Sequence, residues 1–224
     1  MGILKAFQRC FTFLLIFYIC TPVRSQSLIF EHLSVREGLS QFTVHDFYQD
    51  EYGQMWIATA DGLNRYDGKN IESFRPQAGD TTGLFGSNIL AVTGNKKGNL
   101  YVQCLSGLLK YNLKTQTFTT LLKRGVSTLT YAEGRLWMGS AHVLNYYEER
   151  TGEIKEQMRF GEDVQIRTLL YAVDGSLYIG TSKGLYQLDQ NGKLRLMIPD
   201  IYTVCLYQDR DKSLTVSGKF ADGH

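Results

Sequence analysis

The chain has 224 residues, of which 43% are hydrophobic, so it can bury a core without disulfides or metals as staples. Its formal net charge is +2, and the charges are interspersed along the sequence rather than clustered. A nucleic acid or an anionic membrane would require a clustered positive field, so neither is expected as a partner of this segment.

The first 25 residues have the three parts of a secretory signal. Lys5 and Arg9 form a positive start, residues 10–20 form an apolar run, and small residues near Ser25 suit cleavage. The run is short for a bilayer span, although an uncleaved anchor is the alternative. We therefore predict a signal peptide at 1–25 and a periplasmic protein. Removing this segment leaves 21 basic and 22 acidic residues, a net charge of −1.

Two of the four cysteines, Cys104 and Cys205, lie beyond the predicted signal. A single pair does not make a disulfide framework, even in an oxidising compartment. We expect both to be small apolar residues buried in strands.

Residues 26–224 contain a repeat, which is visible when four segments are aligned: GQMWIATADGLNRYD (53–67), GNLYVQCLSGLLKYN (98–112), GRLWMGSAHVLNYYE (134–148) and GSLYIGTSKGLYQLD (175–189). Each copy begins with a glycine and has an aromatic residue three positions later: Trp56, Tyr101, Trp137 and Tyr178. A fifth copy begins near residue 212, and the starts are 36 to 45 residues apart. Because the aromatic recurs in every copy, we predict that it packs between adjacent units and does not bind a ligand.

Each unit fits four short antiparallel strands, because apolar and polar residues alternate and glycines mark the turns. In the first unit the strands are predicted at about 43–49, 54–59, 62–67 and 71–75. Units of this size predict an all-β fold, a β-propeller of about four four-stranded blades and a partial fifth. The predicted blades are about 43–76, 87–122, 125–160, 165–198 and, in part, 201–224.

The repeats resemble the two-component regulator propeller repeat, with its pattern D-x-x-G-x-hydrophobic-W-hydrophobic-G/A-T-x-x-G-L. Residues 30–68 are similar to the start of the N-terminal periplasmic sensor region of hybrid two-component systems, where F-x-x-L-x-x-x-x-G-L-S leads into the first blade. The resemblance implies a sensor that responds to oligosaccharides, joined in full-length relatives to a transmembrane helix, a histidine kinase and a DNA-binding domain. No such later part is recognisable in this sequence.

The copies also depart from the pattern. The third has Val143 where the others have glycine, and the fourth ends its motif in Leu188 instead of tyrosine. Such propellers typically close with seven blades, so we interpret the chain as a truncated fragment of a larger ring. Its partners would then be the missing blades or a second protomer, with a membrane reached only through an absent downstream span. A stable four-bladed or self-associated form is the alternative.

Enzyme signatures are mostly absent from the sequence. The four histidines have no metal-ligand spacing, and neither a nucleophile elbow nor a Walker loop occurs. The segment DEYGQMW resembles an Asp-box, but Glu51 and Met55 stand where that box has Asp and Thr. We therefore predict no catalytic residue, no metal and no cofactor.

Binding residues are expected on one face, where the loops leading into each inner strand meet the turns between the second and third strands. The candidate ligand-binding residues are Phe42, Asp61, Asn88, Arg167 and Tyr202, with Ser106, His142 and Lys183 in equivalent turns. Aromatic rings can stack on a pyranose while amides and charged groups bond its hydroxyls, so a small oligosaccharide is the expected ligand. A secreted propeller enzyme, or an interaction scaffold acting on polysaccharide, is the alternative, because one fold hosts many functions.

Overall fold

A computed structural model describes residues 32–80 and 83–220; the predicted signal peptide and residues 221–224 lie outside this range. The described part holds one 3-10 turn, Val35–Glu37, and 18 strands, which pair antiparallel with their sequence neighbours inside four four-stranded sheets and one two-stranded sheet. These strands belong to a compact unit that begins at Leu33. The architecture is therefore all-β.

The strands form the blades of a β-propeller. Blade 1 contains β1 Val44–Gln49, β2 Met55–Thr59, β3 Gly62–Tyr66 and β4 Ile71–Phe74. Blade 2 contains β5 Ile89–Gly94, β6 Asn99–Cys104, β7 Gly107–Asn112 and β8 Thr117–Leu122. Blade 3 contains β9 Thr128–Ala132, β10 Arg135–Ser140, β11 Val143–Glu148 and β12 Glu153–Arg159. Blade 4 contains β13 Ile166–Tyr171, β14 Leu177–Thr181, β15 Gly184–Leu188 and β16 Leu194–Pro199, and blade 5 contains β17 Ile201–Gln208 and β18 Leu214–Phe220.

The two glycines of the motif have different physical roles, and the third copy keeps only the first of them. The first lies in the hairpin after the inner strand and has positive φ, for example 81° at Gly53 and 89° at Gly98. Glycine adopts this conformation without the cost that a Cβ would bring. The second allows a close approach, because a Cβ at Gly107 would lie 2.2 Å from the carbonyl oxygen of Leu122 in the last strand.

The threonine of the motif closes the turn between the second and third strands. Thr59 Oγ1 donates to the carbonyl of Gly62 at 2.9 Å, and Thr181 Oγ1 donates to Gly184 at 2.7 Å. In blade 2 the thiol of Cys104 makes the equivalent contact with Gly107 at 3.4 Å. A buried cysteine thus replaces threonine at a turn position.

Apolar clusters fill the spaces between neighbouring blades, as the repeat predicts. Trp56 of blade 1 packs against residues of blade 2, and Tyr101 of blade 2 packs against residues of blade 3. Trp137 packs with blade 4 residues, and Tyr178 lies against the first strand of blade 5. The prediction that this aromatic position packs between blades is confirmed.

The segment before β1 covers part of the face of blade 1 that is turned away from blade 2. Leu39 is buried, and the amide of Ser40 donates to Asn64 Oδ1 at 2.9 Å. The Ser40 hydroxyl lies 2.8 Å from Thr59 Oγ1, and the Ser40 carbonyl accepts from Arg75 Nη2 at 2.8 Å. The Gly-Leu-Ser motif is therefore a clasp that holds the leading segment on the first blade.

Large apolar side chains are exposed on the inner strands of the first and last blades. Phe42 and Phe47 are 78% and 68% exposed beside or within β1, and Tyr207 is 58% exposed in β17. Cys104 and Cys205 are both free, and Cys104 is buried. The expectation that Cys205 is buried is wrong. Cys205 lies on the face of β17 that is turned away from blade 4, and no described blade covers that face.

Candidate functional site at the inner rim of the blades

Backbone hydrogen bonds bring together the two kinds of loop that were expected to share a face. The amide of Ala60 donates to Thr43 at 3.1 Å, and Leu105 donates to Asn88 at 3.1 Å. Each bond joins the turn after the second strand to the residue that leads into the inner strand of the same blade. We call this face the inner rim.

A β-bulge interrupts the inner strand at the rim in four of the five described blades. The bulge residues, each skipped by the pairing register, are His45, Leu90, Arg167 and Val204. A bulge leaves one residue unpaired and redirects its side chain. His45 illustrates the effect, since its Nδ1 lies 2.8 Å from the carbonyl of Ile89 in the next blade.

Arg167 and Tyr202 are the two predicted residues that the structure brings together. The guanidinium carbon of Arg167 lies 5.2 Å from the centroid of the Tyr202 ring, within the range of a cation–π contact. Arg167 lies in β13 and Tyr202 in β17, so the pair bridges blades 4 and 5. No carboxylate of a described residue lies within 4.0 Å of Arg167, which leaves the donors of its guanidinium available to a ligand.

Asp61 has a partner within the chain. Its carboxylate accepts a hydrogen bond from Arg75 Nε at 3.2 Å, and Arg75 in turn donates to Ser40. Asp61 therefore supports the clasp of the leading segment, and the rim pair of Arg167 and Tyr202 lies three blades away.

Phe42 and Asn88 lie on the rim but apart from the Arg167–Tyr202 pair. Phe42 precedes β1 of blade 1, and Asn88 precedes β5 of blade 2. The side-chain oxygen of Asn88 is buried and finds no donor among the described residues. Such an orphan acceptor is costly without a partner, so Asn88 is a position where a ligand or water would be favourable.

The turn residues equivalent to Asp61 in the other blades also contact residues of the chain itself. The Nζ of Lys183 forms an ion pair with Asp163, and His142 Nε2 lies 3.3 Å from Arg159 Nη1. Ser106 Oγ lies 3.6 Å from the Cys104 sulfur. These contacts stay within single turns or between neighbouring segments, so they do not bring the five candidates into one cluster.

Two acidic groups near the blade junctions have shifted pKa values. Burial raises the pKa of Asp46, although its carboxylate accepts backbone hydrogen bonds from Val92 and Phe47 at 3.0 and 2.8 Å. Burial also acts to raise the pKa of Glu149, but hydrogen bonds from Tyr131, Asn95 and Tyr101 outweigh it and hold the pKa below its usual value.

Sequence reasoning missed three of the four bulge residues, His45, Leu90 and Val204, and selected only Arg167. A signal was present: the apolar alternation of the inner strand slips by one residue at each bulge, as when the side chains of both His45 and Asp46 contact blade 2.

Among residues 32–80 and 83–220, no group of three His, Cys, Asp or Glu side chains is arranged to hold a metal ion. Within the same residues, no helix is long and apolar enough to cross a bilayer.

The family model for the two component regulator propeller matches residues 38–61. These residues run from the clasp through the first hairpin to the rim turn of blade 1, so the resemblance noted in the sequence is confirmed there. Histidine kinase P4 of Formosa agariphila is 33% identical over 76 residues, which are 33% of this chain and 6% of that protein.

Solved structures with similar folds include the extracellular domain of the putative hybrid two component system BT3049 from B. thetaiotaomicron. It aligns with a TM-score of 0.71 at 24% identity, covering 84% of this chain and 29% of that one. Virginiamycin B lyase from Staphylococcus aureus aligns with a TM-score of 0.62 at 12% identity, covering 81% of this chain and 68% of that one. At these identities the likeness establishes the β-propeller fold, which a sensor domain and an enzyme share.

Proposed function

We propose that this chain is the extracytoplasmic ligand-sensing propeller of a two-component system and that its ligand is an oligosaccharide. The observation that carries the proposal is the two-component regulator propeller repeat at residues 38–61, on a fold similar to the extracellular domain of a hybrid two-component system. The chain spans 29% of that domain and the matched segment 6% of histidine kinase P4, so the kinase and its regulated genes belong to the proposal as well.

The rim pair supplies chemistry that suits a sugar. Tyr202 is 39% exposed, and an aromatic ring of this kind stacks on the apolar face of a pyranose. Arg167 adds several N–H donors beside that ring for hydroxyl or carboxylate groups. We infer that a ligand bound here contacts blades 4 and 5 at once.

Signalling would follow from a difference in affinity between two arrangements of the sensor. A ligand shifts such an equilibrium only by as much as it binds one arrangement better than the other. A ligand that bridges two neighbouring inner strands is placed to favour one packing of blades 4 and 5. A second protomer or further blades would pass that change on to a downstream membrane span.

Calorimetric titration of the chain with a panel of neutral and acidic oligosaccharides tests the site. Arg167→Ala and Tyr202→Ala should each weaken binding by about tenfold, since each removes one class of contact. Arg195→Ala and Tyr207→Ala are matched controls, because both residues are exposed, Arg195 on β16 and Tyr207 at the end of β17 opposite to Tyr202. Unchanged affinity in both rim variants would remove this pair from the site, and release of new reducing ends would favour an enzyme instead.

A further inference from the structure

A cavity of about 340 Å³ lies between blades 3 and 4. Its walls come from the β9–β10 hairpin of blade 3 and from the β13–β14 and β15–β16 hairpins of blade 4. These hairpins join the strand ends that point away from the inner rim, so the cavity is separate from the Arg167–Tyr202 pair.

The cavity lies where blade 3 lacks a side chain that blade 1 has. In blade 1, Asp50 ends the inner strand, and its carboxylate accepts the indole N–H of Trp56 at 2.9 Å and the amides of Tyr52 and Gln54. Ala132 stands at the equivalent place in blade 3, where the hairpin is one residue shorter. The space that a carboxylate fills in blade 1 is open beside Trp137.

Three hydrogen-bond donors in the cavity wall have no acceptor among the described side chains. The Trp137 indole N–H is one, although indole N–H groups usually find a partner when the ring is buried. Gln157 is the bulge residue of β12, and its amide is the second. The Arg135 guanidinium stacks on Tyr146 at 4.8 Å and on Trp137 at 5.9 Å without a carboxylate within 4.0 Å.

Acceptors stand beside these donors. Burial and the nearby Glu133 carboxylate raise the pKa of the Tyr171 hydroxyl, and Asp189 Oδ1 accepts the amides of Asn191 and Lys193 at 2.9 and 2.8 Å. With Arg135 as the one cationic lining residue, the two carboxylates give the wall a net negative charge. A negative wall disfavours phosphates and acidic sugars.

We propose that this cavity binds one unit of a neutral sugar, with the indole N–H of Trp137 and the amide of Gln157 donating to its hydroxyls. A cavity of about 340 Å³ lies near the lower end of the range for small-molecule sites, which a single pyranose fits. Mixed donors and acceptors against an aromatic wall match a ring that carries hydroxyls on its rim and C–H groups on its faces. The site does not depend on the sensor function or on the rim pair.

The chain offers a clean reporter for this site, because Trp56 and Trp137 are its two tryptophans. In the Trp56→Phe variant all tryptophan emission comes from the cavity wall. Titration with glucose, galactose, mannose and xylose should change that emission saturably for at least one of them, with a dissociation constant on the order of 1 mM. Glucuronate and galacturonate should bind at least about tenfold more weakly because of the carboxylates in the wall.

Two variants tie the signal to the cavity. Gln157→Ala should weaken binding by about tenfold. Ala132→Asp should abolish it, since the new carboxylate occupies the space and accepts the Trp137 N–H as Asp50 does in blade 1. Gln77→Ala is the matched control, because Gln77 is exposed in the connection between blades 1 and 2.

Three results would overturn the proposal: no saturable change with any neutral sugar, an undiminished change in Ala132→Asp, or tighter binding of the acidic sugars. If Trp56→Phe does not fold, the same titrations are followed by the Trp137 indole Nε1–H resonance of the unaltered chain in NMR spectra. Neither readout involves Arg167 or Tyr202, so a negative result leaves the rim proposal to its own test.

Discussion

Blades 1 and 3 have a tryptophan at the same position of the repeat, but the surroundings of the two indole rings differ. Trp56 is fully buried and donates its indole N–H to Asp50 at 2.9 Å. Trp137 is also a packing residue, at 6% exposure, but the residue equivalent to Asp50 is Ala132 and a cavity lies beside the ring. The same repeat position is therefore sealed in blade 1 and open in blade 3, where alanine replaces the aspartate and the hairpin is one residue shorter.

The tyrosines at this position in the other blades agree with the sealed case. The hydroxyl of Tyr101 donates to Glu149 Oε1 at 2.9 Å, and the hydroxyl of Tyr178 accepts from Gln187 Nε2 at 3.3 Å. Of the four aromatic residues, Trp137 is the one whose polar atom has no partner among the described residues. Blade 3 is therefore the exception, and its difference identifies where the fold leaves room for a ligand.

Replacing the two tryptophans gives the largest expected difference. Trp56→Ala should lower the free energy of unfolding by about 4 kcal/mol, since it empties a sealed space lined by Phe74 and Tyr111. Trp137→Ala should cost about 2 kcal/mol, because one side of the ring already borders a cavity. Urea denaturation of both variants measures the two values. Equal losses would contradict the distinction between the sealed and the open position.

Removing the carboxylate that seals blade 1 should have the next largest effect. Asp50→Ala leaves the buried Trp56 N–H and two hairpin amides without an acceptor, at a cost of about 2 kcal/mol. Asp50→Asn is the matched control and should cost about 1 kcal/mol, because its one amide oxygen can still accept the hairpin amides while its NH2 group faces the indole N–H. Blade 2 uses Asn95 in this way, with Oδ1 accepting the amides of Lys97 and Asn99 at 2.8 and 3.0 Å. A loss in Asp50→Asn as large as in Asp50→Ala would contradict the capping role.

Glu149, which accepts the hydroxyl of Tyr101 at the junction of blades 2 and 3, should make the free energy of unfolding depend on pH. Because the pKa of Glu149 is lower in the folded chain than its ordinary value of 4.5, the ionised carboxylate stabilises the fold above that pH. The contribution is lost as pH falls through the folded-state pKa. Glu149→Gln should cost about 1 kcal/mol at neutral pH and less in acid. Unfolding midpoints measured from pH 7 to pH 3 test this, and a constant difference between the two proteins would contradict it.

The smallest expected effect concerns the two arginines that stack on the tryptophans. Arg65 lies 5.7 Å from the Trp56 ring and also pairs with Glu72, whereas Arg135 lies 5.9 Å from the Trp137 ring without such a pair. Arg135→Met should cost about 0.5 kcal/mol and Arg65→Met about 1 kcal/mol. Thermal unfolding of both variants in low salt provides the comparison. A larger loss for Arg135→Met would show that this guanidinium supports the fold and is not free for a ligand.

Much of the fold was predictable because each blade repeats the same local chemistry. The glycines of the hairpins, the buried leucine after the second glycine and the alternation of the strands are signals that four copies reinforce. The aromatic position could be assigned to packing from Trp56, Tyr101 and their counterparts without coordinates. Such positions depend on contacts that recur with the repeat.

The candidate site was less predictable because its contacts do not recur. Arg167 and Tyr202 were chosen as loop residues, and their ring contact depends on a bulge that alternation alone does not locate. Asp61 was chosen in the same way and pairs with Arg75, which lies beyond the next two strands. The sequence did not predict the cavity, because the cavity lies where a larger side chain is missing, at Ala132, and where the hairpin is one residue shorter.

Hydrogen exchange of the two indole Nε1–H groups, followed by NMR in the unaltered chain, tests the central comparison most directly. We expect strong protection for Trp56, whose N–H is buried and bonded to Asp50, and fast exchange for Trp137, whose ring lines the cavity and whose N–H has no acceptor among the described residues. Equal protection of both indoles would contradict this expectation, because Trp137 would then be as sealed as Trp56.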